Sequence, residues 1–155
     1  MDPSPHKIAF ELIRQLAGDQ ALANAALNLF GDSPRFYLDD DDPEDKAPHI
    51  LATPDTSEEG IGTDGDIHIR LVVSAFADID EDKLTPDGAT PGLFLKPSSA
   101  KFDQLARAAW QAAKRTRPGA VLRSHSAEWV FGQYYPLLFV IYTLSFETIQ
   151  AFGDS

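Results

Sequence analysis

Four consecutive aspartates, Asp39, Asp40, Asp41 and Asp42, stand in PRFYLDDDDPEDKAPHIL (34–51), followed by Glu44 and Asp45. Carboxylates this dense are the raw material of a hard-cation cradle or a catalytic acid cluster. On an extended segment, however, successive side chains point to alternate faces, so four in a row cannot converge on one ion. A second acidic run, DIDEDKLTPDGA (78–89), opens with the Asp78, Asp80 and Asp82 spacing of a calcium loop. Lys83 then occupies the position where such a loop turns on glycine, and Ala89 the position that needs a bidentate glutamate. Both runs read as solvated acidic loops, and we expect neither a metal nor a cofactor.

The remaining chemistry-bearing residues are sparse. His6, His49, His68 and His125 show no metal-binding spacing. His68 and His125 could meet across neighbouring strands with Glu128 beside them, which reads as a pairing on a solvated or interface sheet face. There is no cysteine, hence no thiolate nucleophile and no disulfide. No nucleophile elbow, phosphate loop or dinucleotide fingerprint occurs, and GIGTDGD (60–66) precedes a strand among acidic neighbours that repel phosphate. The one positive concentration is RAAWQAAKRTRPG, where Arg107, Arg115 and Arg117 gather with Lys114 around a helix end. They complement the helix dipole there, or form a docking face for an acidic partner. The residues therefore predict a protein that is not an enzyme.

The elements that must carry these residues follow from periodicity. Apolar residues from Ile8 to Phe30 recur at helical spacing, with Gly18 a point of bending or splitting. RFYL (35–38) and HILAT (49–53) are strand candidates, and PDTSEEGIGTDGD (54–66) is a turn-rich connection. IHIRLVVSAFA (67–77) alternates cleanly, with Ile67, Ile69, Leu71, Val73 and Ala75 on one face. The proline-punctuated stretch 78–97 is too long for a simple turn. Ser98 or Ser99 offers an N-cap for a helix to about Arg115. Strands at 121–131 and 136–149 are joined by GQYY, and the second, apolar on both faces over its first half, belongs inside the sheet. This order predicts one α+β domain over 1–155, with a mixed, mostly antiparallel sheet and two helices packed on one face.

The chain has 155 residues, 43% of them apolar, enough for one domain with a real core. Its net charge of −11 opposes binding to nucleic acid and to anionic membranes. No apolar run approaches the ~20 residues of a membrane span, and the N-terminus lacks the pattern of a secretion signal, so a soluble intracellular protein is expected.

From about residue 8 to 148, the order of elements resembles the tail terminator (tail completion) proteins of long-tailed bacteriophages. The pattern runs through PRFYL, the acidic loop, APHILAT, DIHIRLVVSAFA, FDQLARAAWQAAKR and the closing hairpin VLRSHSAEWVFGQYYPLLFVIYTLSFE. The excursion at 78–97 is longer and richer in proline than that pattern. The resemblance implies a structural virion protein of the tail, assembled in the host cytoplasm. Such a protein forms a ring, usually a hexamer, that ends tube growth and offers a surface for head joining. Its implied partners are itself, the tail tube protein and the head–tail connector protein, with DNA passing through the ring rather than being bound. A head–tail connector or another small adaptor is the alternative.

Three surfaces are candidates for interfaces on physical grounds. Either the 39–45 loop, with Asp39–Asp42, or the 78–88 loop, with Asp78, Asp80 and Asp82, could face the DNA channel, where negative charge keeps DNA from sticking. The positive helix end, Arg107, Arg115 and Arg117, could meet a neighbour's acidic loop. Phe131, Tyr134 and Tyr135, read as exposed in the hairpin connection, suit an interface core.

Overall fold

The computed structural model describes residues 4–55 and 66–148; most of the 54–66 connection, including Gly60, Gly62 and Gly65, lies outside the described residues. Helix α1 (Pro5–Ala17) begins where the Ser4 hydroxyl accepts from the Lys7 N–H at 3.2 Å, with proline at its first position. Ile8, Ala9, Leu12, Ile13 and Leu16 turn one stripe inward. The helical periodicity then breaks. Gly18 ends α1, and the Asp19 carboxylate accepts from the Leu22 N–H at 3.0 Å to cap α2 (Gln20–Phe30). Gly31, in the left-handed region at φ 77°, closes α2 by donating its N–H to the Leu27 carbonyl at 2.9 Å.

Strands β1 (Arg35–Leu38), β2 (His49–Pro54) and β3 (Ile67–Phe76) follow. Two short strands, β4 (Thr85–Pro86) and β5 (Phe94–Leu95), lie within the excursion, and α3 (Pro97–Arg115), β6 (Ala120–Val130) and β7 (Leu137–Thr148) complete the chain. The main sheet has the order β1-β2-β3-β7-β6, with β1 parallel to β2 and every other pair antiparallel. This is the α+β architecture the periodicity predicts, with three helices in place of two because α1 and α2 are separate.

All three helices gather on one side: α1 lies over β1 and β2, α3 reaches β7 and β3, and α2 packs along α3. Ile69, Leu71 and Val73 of β3 and Val140, Tyr142 and Leu144 of β7 meet Leu12, Leu16, Phe102 and Leu105 in the core. The other sheet face carries no helix among the described residues. There Leu51, Val72, Phe139 and Ile141 are half-buried by one another across the strands. Strand β7 is interior, as its apolar run suggests, but among the described residues helices cover only one of its faces.

Two local readings are corrected. Neither Ser98 nor Ser99 caps α3; the cap position is Lys96, with no side-chain cap bond. The Ser98 hydroxyl instead donates to Asp82 at 2.5 Å, as does its N–H at 2.9 Å. The carboxylate that satisfies this helix start thus comes from 16 residues upstream. The second correction concerns His68 and His125, which do not meet. Strand β7 separates β3 from β6, and His125 pairs with Leu144 on the helix side, while Glu128 pairs with Ile141 on the other.

Candidate functional site

The acidic loop after β1 is held in shape by its own carboxylates. Asp39 adopts φ 72°, a left-handed backbone that aspartate tolerates better than most residues. Its carboxylate meets His6 Nε2 at 3.0 Å and accepts from the Thr53 hydroxyl at 3.3 Å. Asp40 accepts from the Asp41 N–H and Asp42 from the Glu44 N–H. Asp41 lies 3.2 Å from Nδ1 of the buried His49. Asp45 accepts from the Ala47 N–H and pairs with Arg35 at 3.1 Å; that backbone bond first, and then Arg35, holds its carboxyl below the ordinary range. These residues are divided among separate partners, and no group of three is placed to share an ion among the described residues.

The excursion is a projecting arm. Of residues 78–96 only Asp82 is buried. Strands β4 and β5 pair only with each other, closed by Gly88 and Gly92 at positive φ and by Asp87 accepting from the Thr90 N–H. At the root, Asp82 accepts from Ser98 twice and from the Tyr135 hydroxyl at 2.6 Å, while Lys96 lies 4.0 Å over the Tyr135 ring. The sequence reading had Tyr135 exposed. It is half-buried, because the carboxylate that receives its hydroxyl comes from the arm root. Asp78 accepts from the N–H groups of Asp80 and Glu81 and so shapes a turn, and Asp80 is exposed. Beyond the root, apolar side chains stand in solvent, among them Ile79 at 61%, Leu84 at 66% and Phe94 at 56% exposure.

The basic end of α3 is partly neutralised within the chain. Arg115 forms a two-pronged pair with Asp19, at 2.8 and 3.1 Å, and Arg107 pairs with Asp103 at 2.9 Å. Arg117 donates to the Thr116 carbonyl and its N–H to Gln15. Lys114 and Arg117 form no ion pair among the described residues, and Lys114 lies 5.7 Å from the Trp110 ring.

Beside these cations runs an aromatic band, of which the sequence alone singles out only Phe131 and Tyr134. Strand β6 is the last strand of the sheet among the described residues, and from Val121 to Trp129 every residue but Leu122 is exposed. Its helix-side residues overhang α3. The His125 ring lies tilted against Trp110, centroids 3.9 Å apart, and Trp129 stacks on Phe131, with both of the latter edge-on to Phe102. Phe131 and Tyr134 are exposed, Tyr134 against Phe139. Burial pushes the Tyr142 hydroxyl beneath this band up to about 12. Between α3 and β6 an open cavity of about 310 Å³ is lined by Trp110, Lys114, Leu122, Arg123 and His125. The usable signal in the sequence was Trp110 and Trp129 lying three and four residues from cations or histidine. The register that brings them together depends on β7.

No protein-family profile and no curated protein sequence matches this chain.

Proposed function

We propose that the protein is a non-catalytic assembly component that associates with copies of itself into a ring, in the manner of a phage tail terminator. The ring closes the end of a tail tube, stops further subunit addition and presents a joining surface to the head connector. The observation that carries this reading is the order of elements: helices, short strand, acidic loop, long alternating strand, helix and closing hairpin on one mixed sheet. It is supported by the character of the surface. Among the described residues nothing covers the projecting apolar arm or the aromatic sheet edge, two surfaces different from each other, which suits a heterologous interface that closes on itself.

The test is electron microscopy of particles from the parent phage or prophage with the gene deleted. Overlong, headless tail tubes are expected. Tails of normal length that fail to join heads would shift the role to the connector, and normal infectious particles would remove the virion role altogether.

A further inference from the structure

We propose that the arm of one copy docks into the groove between α3 and the free edge of β6 on the next copy. This deepens the ring reading above and rests on it. The two surfaces match in chemistry. The arm offers Leu84, Leu93, Phe94 and Leu95, all exposed, and across 78–96 it exposes four carboxylates, Asp78, Asp80, Glu81 and Asp87, against two lysines. The groove offers aromatic walls, Trp110 and His125, rimmed by Lys114 and Arg123. Lys114 has no carboxylate partner among the described residues, whereas Arg123 is paired with Glu147. An acidic apolar projection facing a cationic aromatic cleft is the complementarity that orients partners. A two-stranded hairpin of this size has too little of its own to pack against, so its apolar side chains gain from a partner surface.

A chain cannot fill its own groove this way. Leu84, Phe94 and Leu95 lie within two residues of the root at Asp82 and Lys96, which the Tyr135 and Ser98 bonds fix. Two residues of chain reach at most about 7 Å. Trp110 lies thirteen residues beyond the start of α3 at Pro97, roughly 20 Å along the helix axis. Arm and groove thus sit at opposite ends of α3, and joining them between copies repeats head to tail, the geometry that generates rings.

The experiment is sedimentation of the full chain over a range of concentrations, with melting temperature as a control on folding. Phe94→Ser with Leu95→Ser removes the arm's contact; Lys114→Glu reverses the groove's unpaired charge and leaves the Arg123–Glu147 pair intact. Each variant is expected to weaken self-association by at least about tenfold without lowering the melting temperature. An equimolar mixture of the two variants keeps one intact arm and one intact groove, so it is expected to form a heterodimer and stop there. Oligomers that survive in both variants would overturn the docking and leave the ring reading standing. A wild-type chain that stays monomeric at every concentration would overturn both. A marked drop in melting temperature for the arm variant would show that the arm packs on its own chain, and would also overturn the docking.

Discussion

Burial by itself pushes the Asp82 carboxyl up, but the bonds it accepts from the Ser98 hydroxyl, the Tyr135 hydroxyl and the Ser98 N–H, with Lys96 nearby, outweigh burial and hold it below the ordinary range. The same contact, chiefly the bond to Asp82, raises the Tyr135 hydroxyl. Because the folded pKa is depressed, the carboxylate contributes stability above its unfolded value of ~3.9, and that stability is lost as the pH falls through the folded value. Asp82→Asn puts an amide where an acceptor of three bonds is needed, and is expected to cost about 2 kcal/mol at neutral pH. Tyr135→Phe deletes one donor and is expected to cost about 1 kcal/mol. Melting temperatures recorded from pH 5 downward provide the check: the acid decline should be shallower in Asp82→Asn than in the wild type. An equal slope in both would place the acid-sensitive carboxylates elsewhere, Glu11, Asp19 and Asp45 also being held low.

The break between α1 and α2 shows how a short signal can outweigh a long one. Helical periodicity runs through residues 8–30, yet Gly18 and Asp19 divide it, and the Asp19 carboxylate both caps α2 and receives Arg115 from α3. Asp19→Ala is expected to cost about 1–2 kcal/mol, the usual loss for an N-cap. The two terminal glycines should then behave oppositely. Gly18 has φ −90° and ψ −1°, and an added Cβ would meet only the Gln15 and Arg14 carbonyls at 3.7 and 4.0 Å. Gly18→Ala is therefore expected to leave stability unchanged or raise it by up to ~1 kcal/mol, through the unfolded chain. Gly31, at φ 77°, is strained by any Cβ even in open space, and Gly31→Ala is expected to cost about 1 kcal/mol. Urea midpoints for the three variants decide the ordering. Sequence pattern was informative wherever an element's environment is periodic: β3 alternates in burial as its residues alternate, and α3 buries the stripe of Phe102, Leu105, Ala106 and Ala109. It was uninformative where contacts are long-range. Tyr135 finds a partner 53 residues upstream, Ser98 one 16 residues upstream, and His68 and His125 are parted by a strand that follows both in sequence. In the candidate site the acidic runs and the basic helix end were legible. Of the aromatic band, exposed Phe131 and Tyr134 were legible, but their meeting with Trp129, His125 and Trp110 was not, because its register is set by β7; neither were the arm's exposed apolar residues, because GLFL reads like any buried run.

At the scale of the whole molecule the net charge of −11 is spread unevenly, and the acidic loop is not uniform in what its carboxylates do. Asp39 and Asp41 fasten the loop to His6, Thr53 and His49, so removing them disturbs structure as well as charge. Among the described residues Asp40 and Asp42 each accept from a neighbouring loop N–H alone, a role an asparagine oxygen fills equally well. The double variant Asp40→Asn, Asp42→Asn thus isolates charge from fold, and its stability should lie within about 0.5 kcal/mol of the wild type. If copies form a ring around passing DNA with this loop toward the lumen, every copy contributes the same two charges, and their repulsion of phosphate keeps the duplex from adhering. Neutralising them is then expected to lower infectivity in phage carrying the variant, with tails of normal length and heads attached. Unchanged infectivity would place the loop away from the channel. Shortened or overlong tails would instead tie it to the contact with the tube.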